Sequence, residues 1–181
     1  MGRIAVAITA GHRAIALDPL NFHVHRTVGI AFLLSRQYAD ALAAFQAALS
    51  LQPDYVRDIH LRGEVQYEMG DYEAARKSCE VAPADEMADG CLALTYRKLG
   101  RNADAEATLR RLQSIEGDSG AYGYATIYAQ WGEVAKALDW LDTAVRLHDA
   151  SLVELKAEPD LDPLREEPRF QAIERELKFP D

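Results

Sequence analysis

A near-regular recurrence of small residues is the feature that most narrows the folds open to this chain. Ala7, Ala41, Ala75, Ala105 and Ala137 stand 34, 34, 30 and 32 positions apart. Four residues after each comes Gly11, Phe45, Cys79, Leu109 or Leu141, and three further on Ala14, Ala48, Ala82, Leu112 or Ala144. An i, i+4, i+7 spacing marks one face of an α-helix. A second set, Gly29, Gly63, Ala93 and Ala125, is spaced 34, 30 and 32 and so drifts in step with the first. Two sets that shift together describe one structural unit used repeatedly, and a period of this length points to stacked units. The step of 30 has lost four residues, close to one helical turn, where Pro83 stops the helix expected at 72–81.

Composition fixes what the unit is made of. Alanine supplies 30 of the 181 residues and alternating β-branched patterns are nearly absent, so helix propensity outweighs strand propensity along the whole chain. Between the two sets of each unit lies a turn, with Gly70, Gly100 and Gly132 as C-terminal stops and Arg36 in the same place in the first complete unit. Each unit is therefore a helical hairpin. The pattern predicts helices at 4–17, 22–35, 38–51, 56–69, 72–81, 85–99, 102–114, 119–131 and 133–148. The expected organisation is a repeat array over 1–150, with a half repeat at 1–20 and repeats at 21–54, 55–84, 85–117 and 118–149. A helical cap is expected at 150–181.

The 49% hydrophobic and 27% charged residues are ordinary for a folded protein and exclude disorder as the main state. The longest apolar run, 28–34, is far short of a bilayer span, and charged residues follow the short apolar start too soon for a secretion signal. A net charge of −9 disfavours nucleic acid, whose phosphates require clustered Lys and Arg. With only Cys79 and Cys91 there is no disulfide framework or four-cysteine zinc site, and a reducing cytoplasm is the expected location.

The stretch 28–53, with Gly29, Phe32, Tyr38, Ala41, Phe45, Ala48 and Pro53, resembles a tetratricopeptide repeat. Further copies are anchored by Gly63, Tyr72, Ala75 and Ala82, then Tyr96, Gly100 and Ala105, then Tyr128, Gly132, Ala137 and Ala144. Cys79 and Gly11 depart from the pattern where a large residue is expected, Leu112 where a small one is, and no copy has a tryptophan in its first helix. The resemblance implies an all-α, right-handed α-solenoid of about four helix-turn-helix repeats. The tail residues Asp160, Asp162, Pro163, Leu164, Arg165, Pro168, Arg169 and Phe170 resemble a segment that closes such arrays in bacterial signalling proteins, among them nucleotide cyclases, kinases and transcriptional regulators.

An end repeat must cover its open apolar face. Leu152, Val153, Leu155, Leu161, Leu164, Phe170, Ile173 and Leu177 are the expected contacts of the cap, with Pro163 and Pro168 each at a helix start. At the other end Ala7, Gly11, Ala14 and Pro19 align with Ala41, Phe45, Ala48 and Pro53, the second half of a unit. Ile4, Ala5, Val6, Ala7 and Ile8 lack a polar face, which suits a helix packed on two sides. The expectation is a fragment of a longer protein, or a homodimer formed through this N-terminal helix.

Motifs suggestive of catalysis have simpler explanations. Gly117-Asp118-Ser119-Gly120 resembles the nucleophile sequence of trypsin-like proteases, but its setting is helical and suits Ser119 or Asp118 as an N-cap. His23 and His25 point apart on a helix, so with His60 they make a poor metal site. Cys79 falls on a packing face and reads as a small hydrophobe; Cys91, in the neighbouring unit, could lie near it, but pairing needs a short Cα separation that sequence does not supply, and core packing is the favoured reading. Asp160 with Asp162, and Glu166 with Glu167, lack a pocket to separate their pKa values; Asp162 reads as a cap before Pro163. No catalytic residue, metal or cofactor is expected, and the chain does not read as an enzyme.

Function is then expected on the concave face, which stacked hairpins line with their first helices. Family resemblance places the recognition surface there. Helical spacing puts Arg26, Ile30 and Leu33 on it, followed by Arg57, His60, Glu64 and Tyr67, then Leu94, Arg97 and Lys98, then Tyr122, Thr126 and Gln130. This strip has a basic excess, favouring an acidic peptide or partner domain. Arg26 and Ile30 stand where the carboxylate clamp of chaperone-binding relatives would need a basic residue and an asparagine, so that clamp is incomplete. The expected function is a protein-interaction scaffold. The alternative is a regulatory or dimerisation segment of a larger signalling enzyme or transcription regulator.

Overall fold

The computed structural model describes residues 2–81 and 86–178. Among them are ten α-helices and no strand: α1 (Gly2–Leu17), α2 (Phe22–Leu34), α3 (Tyr38–Leu51), α4 (Val56–Glu68), α5 (Tyr72–Cys79), α6 (Glu86–Lys98), α7 (Asn102–Glu116), α8 (Ala121–Gln130), α9 (Val134–Leu147) and α10 (Pro168–Leu177). Short 3-10 turns occupy Gly117–Gly120, Ala150–Glu154 and Pro159–Leu164. The break at Ala82 and Pro83 lies outside the described residues, as do the side chains of Ile4 and Ala5.

Helices α2 with α3, α4 with α5, α6 with α7 and α8 with α9 pair as antiparallel hairpins, and α1 packs on α2. The first helices also touch in series, α2 to α4 to α6 to α8, so they form one inner layer. The result is an all-α solenoid of helix-turn-helix repeats.

Four turns share one construction. The amide of Gln37, Asp71, Arg101 or Glu133 donates to the carbonyl of Phe32, Gln66, Tyr96 or Tyr128, at 2.8 to 2.9 Å, closing the end of the preceding helix. That closure needs a left-handed residue just before it. Gly70, Gly100 and Gly132 adopt φ of 80°, 75° and 76°, and Arg36 takes the same role at 61°.

Complementary size sets the distance within each hairpin. A Cβ built on Gly29 would meet the Phe45 ring at 2.8 Å, and one on Gly63 would meet the Cys79 sulfur at 2.5 Å. Glycine on one helix thus admits the larger side chain of its partner. Ala41, Ala75, Ala105 and Ala137 have no exposed surface, and neither does Phe45. Gly11, out of pattern as a small residue, faces Val28 in the same manner. Ala7 departs from its counterparts: it is exposed, as is Val6 at 68%, because no described element covers that side of α1. Of the described side chains in 6–8, Val6 and Ala7 are therefore packed on one side at most, while Ile8 packs against the core of α2 and α3.

The tail covers the last hairpin. Leu152, Leu155, Leu161, Leu164, Phe170 and Ile173 are buried in one cluster with Ala125, Ala137, Leu141 and Ala144, and Leu177 packs against it. Val153, expected among these contacts, is 77% exposed, since the 3-10 turn points it to solvent. Pro168 opens α10 as expected, but Pro163 lies inside the Pro159–Leu164 turn, whose first position is taken by Pro159. The guanidinium of Arg165 fixes the tail by donating to the carbonyls of Leu155 and Glu158, both at 2.9 Å.

Because Phe45 is fully enclosed between helices, Phe45→Ala should lower stability by about 3 to 5 kcal/mol. Ala41→Leu should cost about 1 to 3 kcal/mol through overpacking. Urea unfolding followed by circular dichroism measures both.

Candidate functional site

The inner layer places one helix of each repeat around a concavity, and the chain's own tail runs across it. Residues 158–163 span from α8 to the end of α2. Gln130 on α8 donates to the Asp160 carbonyl at 3.0 Å and accepts from the Tyr67 hydroxyl on α4 at 3.1 Å. Arg36, at the turn after α2, holds the Asp162 carboxylate with two hydrogen bonds of 2.5 and 2.7 Å. The left-handed Arg36 therefore both closes a helix and ties the first complete repeat to the tail, 126 positions away. Asp162 is this anchor, with Arg165 as a second cation at 3.4 Å, and not the cap expected from its place before Pro163. Its carboxyl is held below the usual range by the Arg36 hydrogen bonds.

Behind this strap lies a cavity of about 320 Å³ between α4, α6, α7 and α8. Leu94, Leu112 and Ile127 form its apolar wall, and Glu64, His60 and Asp160 bring polar groups to it. Burial pushes the Glu64 carboxyl up to about 8, and the nearby carboxyls of Glu158, Glu68 and Glu154 push the same way. Burial also raises Asp160 well above the usual carboxylate range, reinforced by Glu158, Glu68 and Glu64 and only weakly opposed by Lys98. Glu158 is raised by burial as well. Glu68 is raised by burial too, opposed by the Tyr38 hydroxyl, which donates to it at 2.8 Å. A concave face expected to be basic thus contains a cluster of carboxyl groups whose proton affinity is raised.

The thirteen residues placed on the inner strip from sequence differ in burial. Leu33, His60, Tyr67, Leu94 and Tyr122 are buried, Tyr122 beneath Leu152, Leu155 and Leu161 of the tail. Arg57 and Lys98 are exposed, while Arg26, Ile30, Glu64, Arg97, Thr126 and Gln130 are half-buried. Several of the cations are already engaged. Arg26 stacks over Tyr55 at 5.0 Å and sits 3.7 Å from the fully buried Asp58; Arg97 stacks over Trp131 at 5.2 Å. Lys98 lies 5.9 Å from the Tyr67 ring. The strap residues were not in the strip, because nothing in a period-breaking tail signals which helix it returns to.

The remaining motifs have structural places. Ser119 is not an N-cap: its hydroxyl donates to the Glu116 carbonyl at 2.6 Å within a 3-10 turn, while Gly120 precedes α8. Asp118 pairs with Arg146 at 3.7 Å. His25 bonds the Pro19 carbonyl and His23 accepts from Arg26. Among the described residues no group of three His, Cys, Asp or Glu side chains is arranged to hold a metal ion, and no helix is long and apolar enough to cross a membrane.

The cysteines correct a second expectation. Cys79 on α5 is buried, as a packing residue would be, but it is joined to Cys91 on α6 by a disulfide with a Cα separation of 6.1 Å. The bond pins two successive repeats together beside the cavity, whose wall includes Cys91. Closing so short a loop restricts the unfolded chain, worth about 3 kcal/mol.

Comparison with known proteins fits this architecture. Two tetratricopeptide repeat profiles match, one over residues 32–90 and the other over 1–56 and 92–151. The chain belongs to the tetratricopeptide repeat family. Among solved structures, TTC0263, a thermophilic TPR protein in Thermus thermophilus, is similar with a TM-score of 0.66 at 20% identity, over 96% of this chain and 92% of that one. Crystal structures of MamA are similar at TM-scores of 0.59 and 0.58, each at 17% identity. They cover 81% and 87% of this chain and 90% and 87% of theirs. No curated protein matches significantly.

The raised carboxyls make stability depend on pH in a defined direction. A carboxyl whose folded pKa lies above its unfolded value stabilises the fold fully at pH below about 4.5, and that contribution is lost as pH rises through about 8 for Glu64. Urea midpoints should therefore fall between pH 5 and pH 9, and Glu64→Gln should reduce the fall; an identical slope in the variant would contradict this.

Proposed function

We propose that this chain is a non-catalytic interaction module that takes up a peptide segment or partner domain along its concave face. Family membership supports the general statement, since tetratricopeptide repeats serve as protein-interaction scaffolds and as a class are not catalytic. The observation that carries the finer reading is the strap. A 3-10 stretch of the chain's own tail already lies on the inner helices, held by one bidentate arginine and one glutamine contact to its backbone. Main-chain contact combined with side-chain selection is one way a groove reads a peptide segment.

The recognition strip is Arg26, Ile30, Leu33, Arg57, His60, Glu64, Tyr67, Leu94, Arg97, Lys98, Tyr122, Thr126 and Gln130. Within it, Arg57 and Lys98 are exposed and Arg26 and Arg97 half-buried, so an acidic segment is favoured at the rim. The buried members shape the floor beneath it. A second reading, a regulatory or dimerising segment of a larger signalling protein, draws support from Val6, Leu17 and Leu20, which are 68%, 87% and 76% exposed around α1. Light scattering across a concentration series tests that version, which predicts a dimer.

The primary reading is tested with labelled acidic and basic decapeptides by fluorescence anisotropy. Acidic peptides should bind, and Arg57→Glu with Arg97→Glu should weaken them at least tenfold, about 1.4 kcal/mol, with helicity unchanged. Equal affinity in the double variant would defeat the assignment.

A further inference from the structure

The cavity behind the strap brings carboxyl groups together, with Asp160 sharing a hydrogen bond with Glu68. Every charged group that acts on Glu64 is another carboxyl, from Glu68 on its own helix and from Glu154 and Glu158 on the tail. Asp160 faces the same carboxyls, with Lys98 of α6 as its weak counter-charge. Its Oδ1 is out of contact with solvent and has no hydrogen-bond partner. Neither lysine nor arginine is among the described residues that line the cavity; His60, Tyr67 and Glu116 complete its titratable wall.

A buried carboxylate without a counter-charge is costly, so such a group holds its proton until a cation takes the proton's place. The shape of the cavity narrows what that is. Leu94, Leu112 and Ile127 offer an apolar lining to a methylene stem, and Glu64 and Asp160 bring carboxyls to the same cavity. Amphipathic cations, with an aliphatic shaft and a charged head, match both.

We propose that this cavity is a socket for one basic side chain, arginine or lysine, of a partner segment, with Glu64 and Asp160 as its counter-charges. The proposal rests on the concave face being the recognition surface and adds an anchor to it: a segment acidic along the rim cations, carrying one basic residue that enters the socket. Entry of the cation lowers the pKa of both carboxyls, so a proton passes from the protein to the solvent as the ion pair forms. Affinity therefore rises with pH as Glu64 and Asp160 lose their protons, with the raised carboxyls of Glu68 and Glu158, the Glu154 carboxyl, the Lys98 ammonium and the His60 ring as the other charged or titratable groups that face them.

The test uses n-butylguanidinium as probe and n-butylurea as its neutral analogue, followed on the full chain by amide resonances at pH 6 and pH 9. The guanidinium should shift the amides of Glu64, Leu94, Ile127 and Asp160 saturably. It should bind at least tenfold more weakly to Glu64→Gln, more weakly at pH 6 than at pH 9, and more tightly than the urea. Circular dichroism on Glu64→Gln checks that the fold is intact, and Asp160→Asn provides a second variant. Equal binding of the urea, or a guanidinium affinity untouched by both substitutions, overturns the socket while leaving the groove reading in place. Guanidinium binding without capture of any decapeptide upholds the socket and strikes only the segment reading.

Discussion

Two helices can lie close together only where one of them has little side chain to offer, and this requirement governs the whole molecule. Glycine opposite a bulkier residue, Gly29 to Phe45 and Gly63 to Cys79, brings the arms of a hairpin together, and alanines with no exposed surface do the same on the second helices. With that spacing repeated, every first helix falls on the inside of the stack and every second helix on the outside. The concavity is a consequence of residue size before it is a matter of recognition.

What the concavity then does depends on the tail. A repeat array has open ends, and residues 150–177 close one of them with a cluster of buried leucines, Phe170 and Ile173. The same segment continues inward, so its middle section becomes part of the concave surface and narrows the space above α4, α6 and α8. Carboxyls that would be solvated on a bare inner helix are thereby enclosed. Their proton affinity rises because burial and like charge act together, and this couples the protonation of the inner face to the position of the tail.

The repeated part of the architecture was legible from residues 7 to 144 because the packing rule acts locally and leaves a periodic trace. The left-handed turn at Arg36 could be read by alignment with Gly70, Gly100 and Gly132, and the enclosure of Phe45 by its place in the period. Contacts without periodicity were not legible. Arg36 meets Asp162 across 126 positions, and neither residue carries a local sign of the other. Cys79 and Cys91 looked like separate packing residues because their closeness depends on how α5 turns into α6. Glu64 was placed on the inner strip by helical spacing, but its burial beside Asp160 needed the course of the tail. The strip also seemed more accessible than it is, since His60 and Tyr122 lie beneath neighbouring elements.

The claim that unites these points is that residues 158–163 lie across the inner helices. Nuclear Overhauser contacts between the Gln130 side-chain amide and the backbone protons of Asp160 and Leu161 test it most directly, because the hydrogen bond to the Asp160 carbonyl places these groups together. Strong contacts, with slow hydrogen exchange of the strap amides, are the result this account predicts. No contact, with amides at 158–163 exchanging as fast as those of an unstructured peptide, would contradict it.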